Sequence, residues 1–223
     1  MNSPMGLRSR NEQEKAARRE ALLDAAQAAF VTKGYENTSM DYIASKAGFS
    51  RGLLYVYFKD KRDIFRALRV RSVEALRDTM LEHLDTSAEG IKQARQLGEA
   101  FYSFYKHQRS DFDCLSLHIS LNNQNTELKQ EAHHDPDSLA AEKETMELML
   151  NALKTGVADG SINPDKVKDP LQTAMFLRGS LHGVILLQDE TGSALLNKEI
   201  ADKDSLVEFT LTNMTNAIGT QAN

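Results

Sequence analysis

The sequence predicts an all-α chain, and three observations carry that reading. Apolar residues recur at helical spacing along most of its 223 residues, and no convincing period-two strand interrupts them. The 4 prolines and 12 glycines are too few for the closely spaced turns of an all-β sandwich. A hydrophobic share of 41% and a charged share of 26% describe a folded globular chain of one large domain or two small ones. No run approaches about 18 apolar residues, so no membrane-spanning helix is expected. The first twenty residues hold Arg8, Arg10, Lys15, Arg18 and Arg19 without an apolar stretch, unlike a secretory signal. Cys114 is the single cysteine, which excludes an internal disulfide framework and a multi-cysteine zinc site. A reducing cytoplasm is the expected compartment.

The elements follow in order. Leu22, Leu23, Ala26, Ala29 and Phe30 form one apolar stripe, and Gly34 stops it. Met40, Ile43, Ala44 and Ala47 form a second, short stripe, broken at Gly48, and a third segment runs from Ser50 to Phe58. Asp60 can cap a long fourth helix marked by Ile64, Leu68, Leu76, Met80 and Leu84. Ile91, Ala94, Leu97, Phe101 and Tyr105 mark a fifth helix, and a sixth begins near Asp111. Leu139, Met146, Met149, Leu153 and Val157 mark a seventh, ended by Asp159-Gly160. An eighth follows Pro170 to about Gln188, and a ninth runs from about Asp204 to Ile218. Loops are expected at 85–90, 123–137, 159–169 and 189–203. The pattern divides the chain into residues 1–62, an arm with three helices, and residues 63–223. No Gly/Ser linker separates them, so the fourth helix is expected to join the two parts rigidly.

Charge separates the same two parts. Residues 1–62 carry eleven basic and seven acidic side chains, a net of +4, whereas the remainder nets −9 within an overall −5. A basic module on an acidic body suits the binding of a polyanion, although a basic arm is also a common solvated tail. Within the module, two short helices flank a Gly48-Phe49 turn, the pattern of a helix-turn-helix whose second helix enters the major groove of double-stranded DNA. Thr38 with Asp41 reads as a capping box, and Ser50 as the cap of the second helix. Arg51 is then the first residue placed to pair with guanine O6 and N7, and Gly52 permits close approach. Tyr55, Tyr57, Lys59 and Lys61 suit phosphate oxygens, while Phe49 and Phe58 suit the core.

The run Ala21-Leu22-Leu23-Asp24-Ala25-Ala26, then Phe30, Lys33-Gly34-Tyr35, Thr38-Ser39-Met40, Ile43-Ala44 and the unbroken Ala47 to Lys61 closely resembles the tetracycline-repressor (TetR) family of transcriptional regulators. The likeness covers about residues 12–68. It implies an all-α homodimer with an N-terminal three-helix helix-turn-helix DNA-binding domain and a variable C-terminal helical ligand-binding and dimerisation domain. It also implies base contacts at Arg51 and Gly52 and phosphate contacts at Tyr55, Tyr57 and Lys61; Thr38 and Ser50, read above as caps, are counted with the same DNA-binding face. Leu53 departs from the Thr or Ser often found there, which leaves a thymine-methyl contact as the alternative to the backbone contact. A ligand-responsive repressor on a palindromic operator follows, with a helix-turn-helix protein controlled by a protein partner as the alternative for the effector.

The C-terminal part is read from its chemistry alone. Phe101, Tyr105, His118, Met146 and Met149, among other aromatic and sulfur side chains, suit either an adaptable apolar pocket for a small molecule or plain core. The eighth helix is apolar around nearly its whole circumference, with Gly179, Ser180 and Gly183 in a gap, so burial on both faces is expected. Residues of about 170–189 and 203–218 would then pair across a two-fold axis as a homodimer. Arg178 and His182 interrupt that helix. A buried Arg178 needs a carboxylate, from Glu208 or from a ligand. His133-His134 lacks metal-ligand spacing and reads as an exposed loop. No phosphate loop, nucleophile elbow or zinc-hydrolase motif occurs, so no cofactor and no catalytic residue is expected.

Overall fold

The computed structural model describes residues 4–124, 136–188 and 203–220. Nine helices make up most of them: α1 (Pro4–Lys33), α2 (Met40–Lys46), α3 (Arg51–Tyr57), α4 (Lys61–His83), α5 (Gly90–His107), α6 (Arg109–Gln124), α7 (Pro136–Asp159), α8 (Pro170–Leu187) and α9 (Lys203–Ile218). Among the described residues the extended pairing is a single isolated bridge, Ile162 with Gly219. The all-α expectation therefore holds. No described helix is long and apolar enough to cross a membrane. The N-terminal arm is itself helical from Pro4, because α1 begins well before its apolar stripe. Residues 189–202 of the expected 189–203 loop lie outside the described residues, as do His133 and His134, and Lys203 already begins α9.

The chain separates into two compact units. The first comprises Met1–Ser72 with Ser110–Leu139, and the second Val73–Arg109 with Ala140–Asn223. The expected border at residue 62 thus falls inside the first unit, which also takes α6. Helix α4 contributes Lys61–Ser72 to one unit and Val73–His83 to the other.

In the first unit, Leu22, Leu23, Ala26, Ala29 and Phe30 of α1 meet Ile43 and Ala44 of α2, Leu54 of α3, and Ile64, Phe65 and Leu68 of α4. Gly34, at φ +78°, ends α1 in a conformation that side chains avoid. That reversal turns Tyr35 inward, where its ring lies 5.2 Å from both Phe30 and Phe65. A polar seam ties α1, α4 and α6 together. Gln27 Nε2 and Ser72 Oγ each donate to Asp111 Oδ1 at 2.8 Å, and Arg71 Nη1 reaches Asp24 at 2.8 Å and Glu20 at 3.1 Å. Cys114 packs into the same core, and burial pushes its thiol up to about 11. The buried thiol is therefore unreactive at neutral pH.

In the second unit, α5 and α7 approach backbone to backbone. A Cβ at Gly90 would overlap the main chain of Gly156, and one at Gly156 would overlap Ile162. Asp159 fixes this corner. Its carboxylate accepts from Gly90 N at 2.8 Å and from Ser161 N at 2.9 Å. The Ser161 contacts first, and then Gly90, hold the Asp159 carboxyl below its usual range. Leu153, Ile162, Val167, Ala174, Leu177 and Ile218 form the adjoining core, with Met146 and Met149 packed against it.

Candidate nucleic-acid interface

Two seven-residue helices build the face. The hydroxyl of Ser39 caps α2 by accepting from Tyr42 N at 3.2 Å, and Ser50 caps α3 by accepting from Leu53 N at 3.2 Å. Gly48, at φ +74°, makes the reversal between them. The Ser50 cap and the Gly48 turn are as expected. The α2 cap is not: Thr38 is buried, and its hydroxyl donates to Gly34 O at 2.8 Å and to Ala29 O at 3.3 Å. Two adjacent hydroxyls satisfy the same capping pattern, and burial of Thr38 under α1 leaves the role to Ser39. Thr38 therefore fixes the turn from within and presents no hydroxyl at the surface.

Leu54 is the α3 side chain sunk in the core, and it sets the rotation of the helix. Arg51, Gly52, Tyr55 and Val56 consequently point outward, at i, i+1, i+4 and i+5. Nothing but the Ser50 hydroxyl, at 4.0 Å, lies near the position a Gly52 Cβ would take, so this stretch of backbone is open to approach. Leu53 is half-buried, whereas Val56 is 72% exposed. Val56 is thus the more exposed aliphatic side chain of this face. Alternation of apolar residues over Leu53-Leu54 and Val56 hid this, since only the direction of Leu54 settles the helix rotation.

Arg51 leans on two neighbours. Its Nη1 lies 3.1 Å from Asp41 Oδ2, and its guanidinium carbon lies 5.5 Å from the Tyr55 ring centroid. Hydrogen bonding with Tyr55 first, and the Asp41 carboxylate second, push the Arg51 pKa up. Tyr57 is half-buried and packs against the core of the unit. Lys59 is exposed, while Lys61 is drawn inward onto the Tyr35 carbonyl. Asp60 caps α4 as expected, accepting from Asp63 N at 2.9 Å.

The ligand candidates other than His118, which falls in the first unit, lie on three helices of the second: Phe101 and Tyr105 on α5, Met146 and Met149 on α7, Arg178 and His182 on α8. Phe101 is buried, with its ring 5.9 Å from that of His182. Burial, then the charge of Arg178, lowers the His182 pKa below its ordinary value. Tyr105 stacks on Tyr102 at 5.8 Å and has the Arg109 guanidinium 5.0 Å from its ring centroid. Met146 and Met149 are half-buried against the core. The His118 side chain lies outside the described residues. Arg178 corrects an expectation, for it is exposed. Glu208, its anticipated partner, pairs instead with Arg95, which also holds Glu99 at 2.8 Å.

A basic module whose second short helix stands outward on a fixed core defines a helix-turn-helix nucleic-acid-binding fold. Residues 22–68 match the family described as bacterial regulatory proteins, tetR family. Over those residues the chain carries a domain similar to that family's. The transcriptional activator FasR of Mycolicibacterium smegmatis is 34% identical over 107 residues, 48% of this chain and 49% of that protein. The transcriptional repressor BepR of Brucella suis is 37% identical over 73 residues, 33% of this chain and 35% of that protein. The chain thus spans about half the length, or less, of these relatives, both named as transcriptional regulators. A solved structure of the fatty acid degradation regulator FadR from Bacillus halodurans superposes with a TM-score of 0.70 at 18% identity, covering 89% of this chain and 94% of that one. That likeness shows the shared fold.

Proposed function

We propose that the protein is a homodimeric transcriptional repressor that reads a palindromic operator and is released by a small apolar effector. The observation that carries this reading is the outward face of α3, where Arg51, Gly52, Tyr55 and Val56 are exposed on a helix anchored by Leu54. Arg51 and Gly52 would meet base edges, Tyr55 and Tyr57 the phosphates, and Val56 a thymine methyl. A two-fold dimer would hold two such helices about 34–36 Å apart, one turn of DNA.

The dimer reading is supported by α8. Ala174, Leu177, Leu181 and Ile185 are buried, while Leu171, Met175, Phe176, Leu186 and Leu187 are exposed on the opposite side, beside Gly179 and Gly183. Phe209 on α9 is exposed as well. So large an apolar face on a single protomer favours an interface, and a second copy of the same face is its simplest complement. The effector reading is supported by the apolar side chains of Phe101, Met146 and Met149, of which the two methionines are also deformable. An effector that favours a different arrangement of the helices would spoil the spacing of the recognition pair. Selection of bound duplexes from random DNA by the purified protein tests the reading: a two-fold-symmetric consensus supports it, and no enrichment removes it.

A further inference from the structure

The loop between α2 and α3 brings two residues ten apart in sequence into contact. Asp41 is the second residue of α2 and Arg51 the first of α3, and both remain exposed, at 61% and 63% of their side chains. The pair places a carboxylate at the edge of a face proposed to meet a polyanion. Placed there, the carboxylate weakens sequence-blind binding to phosphate, and what it can gain in return is discrimination between bases.

We propose that Asp41 is a specificity-determining residue of the DNA-reading face. It holds the Arg51 guanidinium in the orientation that meets a guanine edge, and it disfavours use of Arg51 as a sequence-blind phosphate clamp. The inference rests on the reading of α3 as the recognition helix. An arginine on a flexible stem grips any phosphate, and such contacts carry no sequence information. Guanine requires a planar, bidentate approach to O6 and N7. Asp41 takes one of the five guanidinium donors, which leaves enough for both acceptors. The Tyr55 ring lies 5.5 Å away and limits the guanidinium further. A phosphate seated on Arg51 would stand against the Asp41 charge, whereas O6 and N7 are neutral acceptors. Repulsion of the wrong partner combined with orientation toward the right one is how weak pairs produce specificity.

The test uses the full chain. Wild-type protein first selects its sites from random duplexes, and Arg51→Ala marks the base read by Arg51. Affinities are then measured for the selected duplex, for the same duplex with that base pair changed in each half-site, and for a random duplex of equal length. Exposed ion pairs are weak, so Asp41→Asn is expected to lower the preference for the Arg51 base about fivefold and to tighten random-duplex binding by a similar factor. Asp41→Glu is expected to retain most of the preference. In the Arg51→Ala background, Asp41→Asn is expected to leave discrimination at that position unchanged. Melting measured alongside shows whether each variant is folded. Should Asp41→Asn unfold, Arg51→Lys serves in its place: it keeps the charge but loses the fork, and is expected to lose the base preference while holding random DNA. An Asp41→Asn protein with unchanged preference and unchanged random binding overturns the proposal, as does retained preference in Arg51→Lys. Absence of any consensus with wild-type protein overturns the DNA-reading assignment itself, and is seen before any substitution is made.

Discussion

The Lys61 ammonium donates to the main-chain carbonyl of Tyr35 at 2.7 Å and sits 4.3 Å from the centroid of the same residue's ring. A longer contact reaches the Glu36 carbonyl at 3.4 Å. The side chain thus straps the first turn of α4 to the bend between α1 and α2. Burial pushes the ammonium pKa down, with Glu36 opposing. A strap of this kind acts on stability before it acts on DNA. Lys61→Ala is expected to destabilise the protein by about 1 kcal/mol in urea unfolding, since it removes one of two donors, with Thr38 N, to a partly buried carbonyl. The salt dependence of DNA binding is expected to change by less than the one unit that a full phosphate contact gives. A full unit of change with unaltered stability would return Lys61 to the phosphate.

Gly90→Ala addresses the second unit alone. The added methyl would overlap the backbone of Gly156, which cannot swing aside as a side chain can. A loss of about 1–3 kcal/mol is expected from such overpacking. Thermal unfolding measures it, and a variant as stable as the wild type would show that α5 and α7 are not in that contact.

His182 makes stability depend on pH. Its folded-state pKa lies below the ordinary 6.5, from burial first and from Arg178 second. Well above pH 6.5 the histidine is neutral in both states and contributes nothing. As pH falls through that value the unfolded chain takes up a proton first, so folding stability declines. His182→Gln is expected to lose less melting temperature between pH 7 and pH 5.5 than the wild type. Equal losses in the two proteins would mean that His182 titrates normally.

The exposed side of α8 gives a fourth expectation. Nothing lies within 4 Å of the position a Cβ would occupy at Gly183, so Gly183→Arg fits within one protomer and leaves it folded. In a dimer built on this face the same arginine would be buried without a partner, at several kcal/mol. Sedimentation is expected to show a folded monomer with weakened operator binding. A stable dimer at micromolar concentration would move the interface away from α8.

What the sequence made legible was local. Helical spacing marked the nine helices, and Gly48, Ser50 and Asp60 were readable because turns and caps depend on near neighbours. Thr38 and Ser39 were not separable, because both fit one capping rule and only burial beneath α1 distinguishes them. The burial of Arg178 was misjudged for a related reason. A helix apolar on all sides does not declare which side its own chain covers, and Arg178 stands on the uncovered one. The Asp41–Arg51 pair and the outward aim of Val56 were hidden too, since both depend on the angle that the Gly48 turn imposes and on the rotation set by Leu54.

The measurement that bears most directly on the account is base discrimination by Arg51→Ala. The selected duplex, its single-base variants and random DNA are titrated with the wild-type and substituted proteins at one salt concentration. The account predicts that preference at one position in each half-site collapses, by about 1–3 kcal/mol, while random DNA is bound nearly as before. An equal loss on selected and random DNA would contradict it, because Arg51 would then hold phosphate and the outward face of α3 would not read bases.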